Sequence, residues 1–204
     1  MRRSVVVFLL SLTGCTHRVS DAELGALSQA LLAEPGRTIA DVGAGDGNLA
    51  AALSKRVGPA GAVLATELAP ALRRAISDRI RAEGLRNVTL VTASEDTPGL
   101  SPGCCDAVLM RGVYHHLTQP ELTLAGIVKA LKPGGRLVVV DFAPTVWLAA
   151  YSSSKLRSGH GVDREAVLSE VSRAGLEAVS SIDRYPGLWP LPAYALVFRK
   201  AVAP

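Results

Sequence analysis

Aromatic side chains are scarce in this sequence, at 4% of its 204 residues. A protein that binds single-stranded nucleic acid needs aromatic platforms for base stacking, so this scarcity argues against that class. The net charge is also low, at +4, and it falls to about +2 if Arg2 and Arg3 are removed with a leader segment. A charge this small predicts no polyanionic partner.

Cysteine is rare as well. The three cysteines, two of them adjacent, offer neither a disulfide framework nor the ligand spacing of a zinc site, so we expect no metal. The nucleophile elbow G-x-S-x-G is missing, which counts against a hydrolase. In contrast, hydrophobic residues make up 49% of the chain, and the core must be built from Ala, Val and Leu. The length predicts a single domain.

The first fifteen residues, MRRSVVVFLLSLTGC, have the charged start, the apolar run and the small residues of a secretory signal. The run of about 11 apolar residues is too short to cross a bilayer as a helix. Its end, Leu12-Thr-Gly-Cys15, resembles the lipobox of bacterial lipoproteins, in which a peptidase cuts before a cysteine whose thiol carries a diacylglyceryl group. We expect a signal peptide at 1–14, lipidation of Cys15, a short tether at 15–19 and a domain at 20–204.

This resemblance implies a protein that is anchored by lipid in a bacterial cell envelope, on the periplasmic or outer face. An alternative stays open, in which the apolar run forms a buried first strand or an uncleaved interfacial helix. A leader that is not processed would leave the protein in the cytoplasm.

After the leader, apolar periodicity and turn residues predict helices and strands in alternation. Ser20 and Glu23 have the spacing of a capping box at the start of the first helix. Helices are predicted at 20–33, 47–57, 70–84, 119–131 and 163–174. Strands are predicted at 37–42, 62–66, 87–92, 106–110, 136–141, 176–183 and 194–199. This alternation indicates βαβ units, a parallel sheet and a three-layer α/β fold.

A glycine-rich turn, Asp41-Val-Gly-Ala-Gly-Asp-Gly47, joins the first predicted strand to the next helix. Glycines let a ligand approach the backbone, and the helix N-terminus offers free N–H groups. Glu67 ends the second strand, 20 residues after Gly47, where a carboxylate can accept the hydroxyl hydrogens of an adenosine ribose. A dinucleotide site favours G-x-G-x-x-G, but Asn48 replaces the third glycine, which disfavours an NAD-dependent oxidoreductase.

Four motifs in order resemble the class I S-adenosylmethionine-dependent methyltransferases. They are the glycine-rich turn, the acid Glu67, the stretch Val113-Tyr-His-His-Leu117, and Leu131-Lys-Pro-Gly-Gly-Arg-Leu-Val-Val-Val-Asp141 at the fifth strand. The resemblance covers about residues 33–200. It implies a Rossmann-like sheet of seven strands in the order 3-2-1-4-5-7-6, with the last strand antiparallel.

The same resemblance assigns most of the cofactor site. Asp41 is expected to hold the amino end of the methionine moiety of S-adenosyl-L-methionine, and Glu67 is expected to bind the ribose. Leu68 is expected to pack on the adenine. The backbone that lies against the cofactor is expected to come from the turn, at Gly43, Ala44 and Gly45.

Two positions depart from the family's pattern. The acid that contacts the adenine amino group normally follows the third strand, but Ser94 stands there and Glu95 comes next, so both are assigned to this contact. Arg111, after the fourth strand, stands where many relatives have a smaller or acidic residue. Its backbone is expected to line the methionine end, where its charge could repel the sulfonium or hold an anionic group.

His115 and His116 are the candidate catalytic residues, because imidazole has a pKa in the working range of a general base. Chain neighbours point apart, so at most one of them is expected to face the site. The alternative is a histidine that only caps the turn before Pro120.

Other conspicuous side chains have simpler interpretations. Cys104 and Cys105 begin a buried strand and are expected to pack as small hydrophobes. Three aromatic residues fall in segments over the active edge and suit either a substrate pocket or plain packing, namely Trp147, Tyr151 and Trp189. A set of arginines around the third helix is expected to form a solvated face, namely Arg73, Arg74, Arg79, Arg81 and Arg86.

The sequence therefore predicts a methyltransferase that uses S-adenosyl-L-methionine on a small-molecule acceptor, with membrane contact through its lipid and no nucleic-acid partner. Displacement at a sulfonium is in-line, so such an enzyme mainly supplies proximity and alignment. A lipid-anchored binding protein of the same fold, without turnover, is the alternative. It stays open because the cofactor is made in the cytosol, whereas a lipoprotein faces away from it.

Overall fold

The computed structural model describes residues 19–144, 161–188 and 191–202. Cys15, Trp147, Tyr151 and Trp189 lie outside the described residues, as does nearly all of the predicted leader and tether. In the described ranges, no helix combines the length and the apolar character that a membrane span requires.

Helices and strands alternate through this part of the chain, close to the predicted bounds. The helices are α1 (Asp21–Leu31), α2 (Asn48–Val57), α3 (Pro70–Glu83), α4 (Pro120–Ala130) and α5 (Arg164–Arg173), with a single 3₁₀ turn at Tyr114–His116. The strands are β1 (Thr38–Val42), β2 (Ala62–Glu67), β3 (Val88–Thr92), β4 (Cys105–Arg111), β5 (Leu131–Phe142), β6 (Leu176–Ile182) and β7 (Ala193–Lys200).

The strands form one sheet in the order β3-β2-β1-β4-β5-β7-β6, which confirms the predicted order. Strands β1 to β5 pair in parallel, and β7 is antiparallel to both β5 and β6. The carboxyl ends of β1 to β6 therefore lie at one edge of the sheet, the carboxyl edge, and the opposite edge is the amino edge. Ligands of parallel α/β sheets bind at the carboxyl edge.

Most core side chains on the two faces of the sheet are aliphatic, as the scarcity of aromatic residues predicts, but the largest fully buried side chains are the aromatic Tyr114, Phe142 and Phe198. In β5, Val138 and Val140 pack with one cluster while Leu137 and Val139 pack with the other. This alternation follows from the two-residue period of a strand. The first cluster also contains residues of α1, α2 and α3, and the second contains residues of α4 and α5. The central strands of the sheet are thus buried between two helix layers, whereas β6 at one side of the sheet is mostly exposed.

Two contacts at opposite ends of α1 fix the direction of this helix. Glu23, in its first turn, is bonded to Arg111 at the carboxyl end of β4. The carbonyl of Ala30, in its last turn, accepts a hydrogen bond from Arg136, at the start of the regular pairing of β5 with β4. Helix α1 therefore begins at the carboxyl edge and ends at the amino edge.

Two local predictions need correction. The residues Pro133-Gly134-Gly135 fall between the predicted helix and the predicted strand at 136–141, but they lie within β5, which begins at Leu131 and includes them in a register shift against β4. Cys105 is fully buried in the second core cluster, as predicted. Its sulfur is also joined to that of its chain neighbour Cys104 in a disulfide. The prediction that both cysteines pack as separate small hydrophobic side chains did not include this bond.

Candidate active site

The glycine-rich turn lies at the carboxyl edge, between β1 and α2. The amides of Gly43 and Ala44 each donate to the carbonyl of Thr66 at 3.0 Å, so the turn is tied to β2. Gly43 has no room for a side chain, since a Cβ would lie 2.5 Å from Cγ2 of Val113. Gly45 has a φ of +59°, and its missing Cβ would meet no described atom within 4 Å. The backbone at Gly45 is therefore open to a ligand.

Asp41, next to the end of β1, is 2% exposed, and its Oδ2 has no hydrogen-bond partner among the described residues. Burial raises the pKa of Asp41 to about 7, while the charge of Arg111 lowers it and that of Glu67 raises it. Buried polar atoms are nearly always hydrogen-bonded, so an unpartnered carboxylate oxygen at a ligand edge indicates a missing donor. An ammonium group supplies such a donor together with a compensating charge. This observation fits the predicted contact with the amino end of the cofactor.

The carboxylate of Glu67, the last residue of β2, accepts hydrogen bonds from three backbone amides. Its Oε1 accepts from the amides of Leu68 at 2.8 Å and Ala69 at 2.9 Å. Its Oε2 accepts from the amide of Gly45 at 3.0 Å, which joins the ribose candidate to the turn. Each carboxylate oxygen has two lone pairs, so two ribose hydroxyls can bind Glu67 only if at least one amide is released.

The predicted adenine contacts lie beside Glu67, because Thr92 at the end of β3 pairs with Glu67. Ser94 and Glu95 are exposed, and the Ser94 hydroxyl donates to Oδ1 of Asp96 at 2.6 Å. Asp96 is thus a nearby acid that the sequence prediction did not include. Leu68 is 47% exposed, which leaves an apolar surface available next to the ribose position.

Arg111 lies at the end of β4, where its guanidinium already holds an anionic group. Its Nε donates to Oε1 of Glu23 at 2.6 Å and its Nη2 donates to Oε2 at 3.1 Å. The hydroxyl of Tyr185 donates to the same Oε1 at 3.0 Å. Burial opposes the charge on Arg111, but the bonds and the charge of Glu23 outweigh burial and raise the pKa of Arg111. Burial also raises the pKa of Tyr185, and Glu23 adds to this shift.

This ion pair corrects the expected capping box, and it supplies the anionic group that was one of the two expectations for Arg111. The amide of Glu23 does donate to Oγ of Ser20 at 3.1 Å, so Ser20 is the predicted N-cap. The Glu23 carboxylate, however, turns to Arg111 instead of closing the capping box. The Arg111 side chain is 10% exposed and the Glu23 side chain 3% exposed, so the anion that Arg111 binds in this structure belongs to the protein itself.

Arg79 also differs from its prediction as part of a solvated face. Its Nε donates to the carbonyl of Asp46 at 2.9 Å, and its Nη2 lies 3.2 Å from Oδ2 of the same residue. Asp46 in turn accepts from the backbone and side-chain amides of Asn48. Helix α3 thereby holds the glycine-rich turn in place through one arginine.

The two candidate bases have different environments. His116 is exposed, whereas His115 is 4% exposed, and its Nδ1 lies 2.8 Å from Oδ1 of Asp141 at the end of β5. The other oxygen of Asp141 accepts from the backbone amide of His115 at 3.1 Å. The Nε2 atom of His115 is buried as well, so both nitrogens of this ring are shielded from solvent. Asp141 was assigned no site role from the sequence.

Comparison with known proteins agrees with the arrangement at the carboxyl edge. Residues 40–137 match the family model of a methyltransferase domain, and the matched range contains the glycine-rich turn, Glu67 and Arg111. The chain carries a methyltransferase domain. Over 109 residues it is 35% identical to the ubiquinone/menaquinone biosynthesis C-methyltransferase UbiE of Bordetella parapertussis. This match spans 53% of the chain and 42% of that relative, less than half of its length.

Solved structures share the fold of the methyltransferase domain. A SAM-dependent methyltransferase from Aquifex aeolicus superposes with a TM-score of 0.72 at 20% identity, over 89% of this chain and 90% of that one. A possible exported protein from Bordetella parapertussis superposes with a TM-score of 0.65 at 16% identity, over 88% of this chain and 66% of that one. These likenesses confirm the Rossmann-like methyltransferase fold predicted from the sequence.

Proposed function

We propose that the protein is an S-adenosylmethionine-dependent methyltransferase whose cofactor binds at the carboxyl edge, along the glycine-rich turn. The observation that carries this proposal is the buried Asp41, whose Oδ2 lacks a partner among the described residues beside the open backbone of Gly45. A ligand that has an ammonium group and passes close to the turn would bind to both features. The family match over residues 40–137 supports the same conclusion.

Each residue of the site then has a specific role. Asp41 holds the ammonium of the methionine moiety, Gly45 leaves the space along the turn, and Glu67 exchanges an amide for a ribose hydroxyl. Arg111 stays paired with Glu23, and its positive charge lowers the pKa of Asp41 at the methionine end of the cofactor. The bound cofactor supplies a methyl group on a positively charged sulfur, so the protein's main task is to align the acceptor with it.

His115, whose ring is oriented by Asp141, is the candidate base that we assign to this site, and its buried Nε2 reaches an acceptor only if the residues around it move. The relative from Bordetella parapertussis is named for ubiquinone and menaquinone biosynthesis. A quinone-type ring is therefore the acceptor class that we propose to test first, and a small molecule is the general expectation.

Attachment to a membrane through Cys15 is a further part of the proposal. Its support is the sequence Leu12-Thr-Gly-Cys15, together with the similarity in fold to a possible exported protein. The protein would then reside in the bacterial cell envelope. Mass spectrometry of the membrane-extracted protein tests this point: a chain that begins at a diacylglyceryl-modified Cys15 supports it, and an intact Met1 contradicts it.

Titration calorimetry with S-adenosylhomocysteine tests cofactor binding without a known acceptor. We expect a single site in the wild type and at least tenfold weaker binding in Glu67→Gln, which keeps the shape of the side chain but removes its charge. NAD is the matched control ligand, for which we expect no binding. Binding of NAD in preference to S-adenosylhomocysteine would favour the oxidoreductase. Tight binding without methyl transfer to any acceptor would favour the binding protein.

A further inference from the structure

The chain enters the domain at the same edge of the sheet as the candidate active site. Val19, the first described residue, packs against the core cluster under α1, and Ser20 caps that helix. Glu23, in the first turn, is held by Arg111 of β4 and by Tyr185 from the segment between β6 and β7. Two separate elements, β4 and the segment between β6 and β7, therefore fix the start of α1 at the carboxyl edge.

The distance from this point to the proposed lipid is short. Cys15 precedes Val19 by four residues, and an extended chain spans at most about 3.6 Å per residue, so Cys15 lies within roughly 15 Å of Val19. By contrast, β4 has seven residues and rises by about 20 Å between the two edges of the sheet. A tether shorter than the sheet keeps a membrane-embedded Cys15 on the side of the carboxyl edge.

Charge and apolar exposure do not favour this edge by themselves. Leu68 and Leu122 at the carboxyl edge are 47% and 49% exposed, but Leu32 and Val202 at the amino edge are 36% and 69% exposed. The amino edge also carries the basic residues of helix ends, for example Lys55 and Arg56 in the last turn of α2. Their positions suit the negative ends of helix dipoles. Without a tether, an anionic membrane would therefore attract the amino edge, and this competing orientation can be measured.

We propose that the carboxyl edge faces the lipid bilayer, so that the methyl acceptor is an amphipathic molecule resident in that bilayer. The inference rests on the proposed function and on lipid attachment at Cys15. It follows that the acceptor reaches the site from the membrane surface, with its reactive polar part in the interfacial layer and its apolar part among the acyl chains.

The orientation can be measured on the full lipidated chain in vesicles of phosphatidylcholine and phosphatidylglycerol that contain a spin-labelled phospholipid as quencher. Two variants each add one cysteine that carries the same fluorophore, Leu122→Cys at the carboxyl edge and Val202→Cys at the amino edge, while Cys104 and Cys105 stay joined in their disulfide. Both original side chains are exposed and apolar, so the two labels are matched. We expect the label at position 122 to be quenched at least threefold more strongly than the label at 202. Stronger quenching at 202, or equal quenching at both, overturns the proposal.

Two measurements on the same samples separate the premises from the inference. Mass spectrometry must find the lipid on Cys15, and an unmodified thiol there overturns the proposal. Calorimetry with S-adenosylhomocysteine reports on the proposed function alone. If the cofactor product binds while the label at 202 is the more quenched, the orientation is wrong and the function stands. If it does not bind while the label at 122 is the more quenched, the proposed function fails and the orientation stands.

Discussion

Replacing Asp41 with Asn should make the stability of the protein less dependent on pH. The pKa of Asp41 is about 7 in the folded protein, against 3.8 for the free side chain, because burial favours its neutral form. Between these two values the folded state holds a proton that the unfolded chain has lost, so the stability falls as the pH rises. The limiting slope is about 1.4 kcal/mol per pH unit. Between pH 5 and pH 8 this linkage removes about 2.5 kcal/mol from the free energy of unfolding of the wild type.

Urea denaturation at pH 5, 6, 7 and 8 measures this effect as the difference between Asp41→Asn and the wild type. We expect the variant to gain about 2.5 kcal/mol relative to the wild type over this range, whatever its offset at pH 5. Asp106→Asn is the control. Burial works against ionisation of Asp106, but hydrogen bonds from the Thr38 amide and from Lys132, with nearby positive charge, lower its pKa. Its linkage therefore lies at more acidic pH, and its stability difference should stay constant from pH 5 to pH 8. A constant difference for Asp41→Asn would refute the argument from burial.

Three further variants test the site. Gly45→Val should abolish binding of S-adenosylhomocysteine, because a side chain at φ +59° is strained and fills the open space. Circular dichroism should show unchanged secondary structure. Native affinity for S-adenosylhomocysteine would show that the turn is only a connection. Glu67→Ala should weaken that binding at least tenfold and also destabilise the fold, since it leaves three amides without their acceptor; calorimetry and urea denaturation measure the two effects. Glu23→Ala should lower the free energy of unfolding by about 3–5 kcal/mol, because Arg111 stays buried without a counter-charge. The double variant Glu23→Ala with Arg111→Leu should recover part of this loss in urea denaturation. Additive losses of the two substitutions would contradict the pairing.

The fold could be predicted from the sequence because its signals are local. Capping, turn glycines and apolar periodicity placed the helices and strands close to their observed bounds, as Ser20 and Gly47 illustrate. The sheet order came from the resemblance in four motifs, and it is confirmed. The methyltransferase family is confirmed over residues 40–137. The roles of the individual site residues and the lipid on Cys15 stay predictions.

The contacts that shape the site could not be predicted, because they join distant parts of the chain. Glu23 and Arg111 are 88 residues apart, and the sequence pattern around either residue does not indicate that the other is its partner. The capping-box spacing even gave Glu23 a sufficient local explanation. In the same way Arg79 has the features of an exposed helical arginine until the fold brings Asp46 beside it. Asp141 ends a buried strand, and only the parallel pairing of β4 with β5 brings the His115 turn to it.

The central claim, that an S-adenosyl cofactor binds along the glycine-rich turn, is tested most directly by amide NMR spectra of the protein during titration with S-adenosylhomocysteine. The amides of Gly45 and Leu68 are bonded to the Glu67 carboxylate, so they should shift strongly as the ribose displaces one of them. The amide resonances of Gly36 and Gly134, at the amino edge, should not shift. Saturable binding that leaves Gly45 and Leu68 unshifted, or that shifts only the amino-edge glycines, would contradict the account.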